Sequence, residues 1–326
     1  MDLRLALHEL EAAHGLDDHA SRRLQALAGL GDEPRALKRW LPLGLAVLAA
    51  ALLGLGLIFW IAANWETLGR FGRFAVLQGA IVAMGIGALA RPAWRAPLAL
   101  VVLLATGALF AYFGQTYQTG ADPWQLFALW AALALPLALG VRSDLLWAPW
   151  TLIAFVAIAL WIHAHTGHRW RVEPDDLAVH LLGWAAAGAI VLAMSALARR
   201  LTGAGVWALR TAVTLAVVVI TSTALAGLFS RSVATHYGFG LLVLAALAAA
   251  FVPRRSFDVF ALSAVALGLN TLAVAGLGRL LFENAHGDPI GRLFLLGALA
   301  AGMLAASVNG VLRLARAHAA AEGATA

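Results

Sequence analysis

About ten apolar stretches of membrane-crossing length follow one another between residues 41 and 312, each separated from the next by a short polar or charged break. They lie at about 41–62, 74–91, 96–114, 124–141, 145–162, 177–198, 206–229, 236–252, 257–278 and 289–312, near the twenty residues that a helix needs to cross hydrocarbon at 1.5 Å per residue. The fourth and eighth are the shortest. The pattern predicts an all-α protein, a polytopic transmembrane bundle of about ten helices.

Ahead of the first stretch, residues 1–39 are polar and charged. Leu3, Leu7 and Leu10 form one helical stripe with Gly15 as its stop, and Asp17 or Asp18 is placed to cap a second helix carrying Ala20, Leu24 and Leu27. These residues predict a cytosolic helical hairpin, which is also where a protein partner would dock. Two short helices without a third support do not make a DNA-binding module, and no nucleic-acid partner is expected. The expected organisation is a hairpin over 1–39, a first membrane half over 40–176, a second over 177–316 and a disordered tail over 317–326.

Composition agrees: 62% of the 326 residues are apolar and only 12% charged, against about half and a quarter in soluble domains. The net charge of +6 comes from arginines gathered between the spans. Lys38 is the single lysine, and the abundance of Arg, Ala and Gly fits a GC-rich bacterial genome. Arg35, Arg39, Arg91, Arg142, Arg199, Arg200, Arg254, Arg255 and Arg313 all fall on one side of the alternating pattern. By the positive-inside rule that side is cytoplasmic, which places both termini there and the protein in a bacterial inner membrane. Most tryptophans, among them Trp60, Trp94, Trp147 and Trp207, sit near span ends as interfacial belts do. The small residues Gly79, Ala83 and Gly87, with Gly107 and Ala111, predict close approach of the second and third spans.

No Asp, Glu or Lys occupies the middle of a span, which removes the acidic relay on which ion-coupled carriers usually depend. Absence of cysteine excludes disulfides and thiolate chemistry, and no phosphate-binding loop or nucleophile elbow is present. No cofactor is expected. Within the spans, Asn270 and Asn309 are read as bonding each other, and Asp144 and Asp258 as helix caps at cytoplasmic ends.

The distinctive polar text follows the first and third spans: Ala62-Ala63-Asn64-Trp65-Glu66, then Gly114-Gln115-Thr116-Tyr117-Gln118-Thr119-Gly120-Ala121-Asp122, leading to Trp124, Leu126, Trp130 and Pro136. Asn64, Trp65, Glu66, Gln115, Tyr117, Gln118, Asp122, Trp124 and Trp130 offer amide, carboxylate and phenol groups beside aromatic faces, a mixture suited to an envelope solute or a lipid headgroup. The plainer reading makes Asn64 and Gln115 helix caps and the aromatics an interfacial belt. A second constellation, His163, His165 and His168 followed by Glu173, Asp175, Asp176 and His180, has the donors of a zinc-type site but no recognised ligand spacing. His236 and His286 are expected to face the same outer side.

The AANW tetrapeptide followed by an acidic residue, combined with GQ-x-Y running into W-x-L-x-x-x-W and a proline, resembles the bacterial predicted-membrane-protein family known as domain of unknown function 2157. The resemblance covers roughly residues 1–180. It implies a polytopic membrane fold and carries no catalytic residue across. Three functional readings stand: a non-enzymatic structural or regulatory membrane protein, binding or translocation of a polar or lipid-linked envelope solute at the outer polar and aromatic face, and a metal-dependent membrane enzyme using the histidine cluster.

Overall fold

The computed structural model describes residues 3–28, 35–64, 66–117, 120–167, 172–230, 233–283 and 289–323. Among these residues all regular structure is helical. Two compact units divide the chain, Met1–Leu53 and Gly54–Ala326.

In the first unit, α1 (Leu3–His14) and α2 (Asp18–Leu27) form the expected hairpin. Gly15 turns at φ +57, the left-handed geometry that ends a helix cheaply only at glycine. Asp17 is the cap, its Oδ1 accepting from the Ala20 N–H at 2.7 Å. Glu11 then ties the two helices, accepting from the Ser21 hydroxyl and from the Gln25 amide at 3.0 Å. Leu7 is buried, but Leu10 and Leu27 are exposed.

The apolar stretches become α3 (Arg35–Ala63), α4 (Gly69–Ala90), α5 (Arg95–Tyr117), α6 (Pro123–Val141), α7 (Asp144–Thr166), α8 (Leu177–Met194), the one-turn α9 (Arg199–Thr202), α10 (Val206–Leu228), α11 (Thr235–Ala250), α12 (Val259–Phe282) and α13 (Pro289–Gly323). Nine of these helices, counted among the described residues, are long and apolar enough to cross a membrane. The exception to the expected ten is α11, whose 16 residues rise only about 24 Å at 1.5 Å each. Contacts between helix ends define two faces of the bundle. The ends of α10 and α12 meet through Ser230 and Arg279, the starts of α8 and α11 through His180 and His236, and the start of α6 meets the end of α7 through Trp124 and His165, which marks one face, called distal. The starts of α7, α10 and α12, joined through Asp144, Arg210 and Asp258, mark the other, proximal face.

The main core lies in the second half. Helix α10 packs against α7, α8, α11 and α12, and Ala208, Ala212, Ala216 and Ala224 along it are essentially inaccessible. Small side chains let the backbones close up where lipid supplies no hydrophobic drive. Glycines permit close contact in this half too: a β-carbon at Gly240 would collide with Ala224, and one at Gly276 with the Tyr237 hydroxyl. Helices α4 and α5 do approach closely, as the small residues predict, and pack along one another, with the Leu98 side chain 3.2 Å from where a β-carbon on Gly87 would stand. Not every small residue serves that contact: nothing lies within 4 Å of such a position on Gly79, and Gly107 makes room for the indole of Trp130 on α6.

Three further expectations change. Trp147 is 1% exposed and donates its indole N–H to the Thr202 carbonyl at 2.9 Å, so it is a core residue and not part of a belt. Asn270 accepts from the Ser307 hydroxyl at 3.1 Å, whereas Asn309, two residues on and therefore on another side of α13, is exposed. Helix α13 runs on to Gly323, so residues 317–323 of the expected disordered tail are helical. The Ala-rich sequence favours this, and His318 holds the extension by contacting the Val252 carbonyl at 3.1 Å and the Phe257 ring at 4.4 Å.

The proximal face is knit by capping. Ser143 caps α7, accepting from the Leu145 N–H, which frees the Asp144 carboxylate for a different helix. It accepts from the N–H groups of Gly205 at 2.6 Å and Trp207 at 3.0 Å, at the start of α10. Asp258 caps its own α12 through the Ala261 N–H at 2.8 Å and meets Arg210 at 3.4 Å. Both aspartates therefore satisfy orphan donors.

Candidate functional site on the distal face

Helix α5 presents Phe110, Ala111, Phe113, Gly114 and Gln115 along one side, spaced at one helical turn. Across from it, Asp122, Gln125, Leu126 and Leu129 fall at i, i+3, i+4 and i+7 on the first two turns of α6. Between these stripes lies a cavity of about 600 Å³, lined at its distal end by Gly120, Ala121 and Pro123. Gly120 turns at φ +64, and Pro123 then occupies the first turn of α6, where its missing N–H costs nothing.

The cavity has a polar mouth and an apolar depth. Gln115, Asp122 and Gln125 stand toward the distal end, while Phe110 lies about 7.5 Å beyond Gln115 along α5 and Leu129 about 6 Å beyond Gln125 along α6, with Leu126 between. Phe113 and Leu129 are 45% and 49% exposed, so the wall also opens sideways. Asp122 adopts the backbone of an N-cap, φ −62 and ψ 143, yet its side chain bonds no helix N–H. The carboxylate is left available to something else.

A cationic and aromatic shelf adjoins the groove. Phe113 stacks on Tyr117 at 4.7 Å, Phe74 packs on Tyr112 at 4.6 Å and Tyr117 at 6.2 Å, and the Arg70 guanidinium lies 5.9 Å from the Tyr117 ring. The Tyr112 hydroxyl donates to the Arg70 carbonyl at 3.2 Å, fastening α5 to α4.

The nine expected binding residues divide among different tasks. Gln115 and Asp122 enter the groove, and Tyr117 forms the shelf beside it. Asn64 is a helix-end residue: its amide donates to the Trp60 carbonyl at 2.9 Å, and its own carbonyl accepts from Thr67 and the Leu68 N–H. Glu66 is exposed. Trp124 points to the other side of α6, toward the His165 ring at 6.2 Å, and Trp130 donates to the Leu103 carbonyl at 3.0 Å inside the α5–α6 contact. Trp65 and Gln118 lie outside the described residues. Leu126, the leucine of the W-x-L pattern, also lines the groove, and Gln125, Phe110 and Phe113 complete it without having been singled out. Gln125 was discoverable, since it follows Asp122 by three residues at a helix start.

His168 and His286 also lie outside the described residues. His163 is half-buried at the end of α7, and His165 contacts the Trp161 carbonyl at 2.8 Å and the Trp161 ring at 4.7 Å. Among the described residues no three His, Cys, Asp or Glu side chains come together as a metal-binding group. His236 departs from expectation: it is fully buried, its ring 4.9 Å from that of His180, instead of facing outward. Glu173 and Asp176 form a reciprocal capping box at the entry to α8.

Fold and composition together define a polytopic α-helical membrane protein. Residues 8–147 match the model of the family described as "Predicted membrane protein (DUF2157)". That span runs from within α1 through the groove to the first residues of α7, and ends before α8 and α10. Neither the curated proteins nor the solved structures contain a match to the chain.

Proposed function

We propose that this multi-pass protein binds an amphiphilic envelope molecule, non-enzymatically, in the groove between α5 and α6. The observation that carries the reading is the polarity gradient along one cavity, with Gln115, Asp122 and Gln125 at the mouth and Phe110, Leu126 and Leu129 beneath. A pocket with predominantly apolar walls and a few converging polar groups is the usual form of a small-molecule site. Its sideways opening suits a ligand arriving from the bilayer. The protein sits in a bacterial inner membrane with both termini cytoplasmic, a topology supported by the arginine bias, and the groove then faces the periplasm.

Native mass spectrometry of the purified protein tests the binding reading. Ala111 is exposed and lines the groove, so Ala111→Trp fills the cavity without disturbing the core. The variant is expected to lose co-purifying lipid that the wild type retains; equal retention overturns the proposal. The topology is tested by a periplasm-dependent reporter fused after Ala326, which is expected to be inactive.

A regulatory role at the amino terminus is the second reading, favoured by the hairpin's exposed Leu10 and Leu27, 47% and 81% accessible. It predicts that Leu27→Glu abolishes cross-linking of the hairpin to a cytosolic protein while lipid retention is unchanged.

A further inference from the structure

Resting on the groove as a binding site, we infer that its ligand is a phospholipid whose headgroup carries a primary ammonium, an ethanolamine-type zwitterion, and not an anionic lipid. Three observations carry this. Asp122 is the sole ionisable side chain among the described residues lining the cavity, so the mouth bears one negative charge. That carboxylate sits at a helix N-cap without bonding the helix, although such a position normally employs it. It is flanked by Gln115 and Gln125, whose amides each supply both donors and acceptors.

A zwitterion matches this set group by group. The ammonium N–H groups donate to the Asp122 carboxylate, a charge-assisted hydrogen bond. Phosphate oxygens accept from the Gln115 and Gln125 amide N–H groups. One acyl chain lies along Phe110 and Leu129 and leaves through the sideways opening. An anionic lipid would place its phosphate beside the Asp122 carboxylate with no cation among the described lining residues, a like-charge contact that costs affinity. Arg70 is set over the Phe71 and Tyr117 rings of the adjoining shelf, at 5.0 and 5.9 Å. A quaternary ammonium has no N–H to donate and is best held by an aromatic cage, which the polar mouth does not provide.

The test uses the full chain in nanodiscs and reads the bound lipid by native mass spectrometry, with phosphatidylethanolamine, phosphatidylglycerol and phosphatidylcholine of matched chains in competition. Wild type is expected to retain phosphatidylethanolamine over the other two by on the order of tenfold, the factor that one hydrogen bond to a charged group supplies. Asp122→Asn keeps the shape and is expected to bind lipid with that preference lost. Ala111→Trp is expected to bind none of the three. A wild type without preference, or an Asp122→Asn variant with preference intact, overturns the headgroup assignment while the groove stands. Undiminished binding by Ala111→Trp overturns the groove itself.

Discussion

Asp122 and Glu283 are both carboxylates at helix ends on the distal face, one in each half of the bundle, and their circumstances are opposite. Glu283 lies four residues after Arg279, and the guanidinium donates to it twice, at 2.6 and 3.0 Å. The same arginine donates to the Ser230 carbonyl at 3.0 Å and so joins the end of α12 to the end of α10. Asp122 has no basic residue one turn away and bonds no backbone donor of its own helix. Both are exposed carboxylates at helix ends. What separates an acid held by the fold from one left unpaired here is whether the neighbouring turn supplies a partner.

The contrast extends to each half. In the second half, together with α7, which packs on α10, polar groups are used internally: Asp144 caps α10, Trp147 reaches Thr202, Thr223 bonds back to Val219. In the first half α5 and α6 leave a cavity open, and the polar groups at its mouth point into it. Replacing residues of the closed half should therefore damage the fold, and replacing those at the mouth should damage binding alone.

The largest expected effect is at Trp147. Truncation to Ala empties a fully buried indole site and strands the Thr202 carbonyl, and Trp→Ala in a packed interior costs about 3–5 kcal/mol. Thermal unfolding in a lipid-like detergent should show a large fall in melting temperature; a variant as stable as wild type would mean that the second half is not the rigid part. Asp144→Ala follows, at about 1–2 kcal/mol for a lost cap. Its loss is expected at α10, where hydrogen exchange of the Gly205 and Trp207 amides should accelerate while the α5 amides stay as they were.

Much of this architecture was legible in the sequence because lipid imposes so few solutions. Apolar runs near twenty residues give the helices, Gly15 and Asp17 give the hairpin turn and cap, and Asp258 gives the start of α12. Partner choice between helices was not legible. Gly107 announces a close approach without saying that Trp130 makes it, and Asp144 looks like a cap for α7 although Ser143 already fills that place. The site was half legible for the same reason. Polar residues clustered around 115–122 single out a candidate segment, but only pairing of α5 with α6 decides that Gln115 and Asp122 line one cavity while Trp124 and Trp130 turn away. An exposed helix end and a groove mouth are written in the same residue types.

A smaller effect on stability is expected at the mouth. Gln115 is exposed and makes no contribution to the core, so Gln115→Ala should change unfolding free energy by no more than about 0.5 kcal/mol. Lipid retention should nevertheless drop. A loss of folding comparable to that at Trp147 would erase the distinction between the two halves and with it the binding reading.

The smallest effect tests the paired acid. The hydrogen bond from Arg279, reinforced by its charge, holds the Glu283 carboxyl below the usual glutamate range against the opposing effect of burial. A folded-state pKa depressed in this way stabilises the native state at all pH values above the unfolded value, about 4.3. That contribution is lost as pH falls through the lower folded value. Acidification from pH 6 to below 4 should thus lower the melting temperature of wild type more than that of Glu283→Gln, which has no proton to take up. Glu11, lowered chiefly by its bonds to Ser21 and Gln25, titrates in both proteins and cancels from the comparison. Because the Glu283 carboxylate is solvent-exposed, the difference should be slight and should shrink further at high salt. Parallel pH profiles at low salt would show that Arg279 holds Ser230 without help from Glu283, leaving both distal carboxylates equally free.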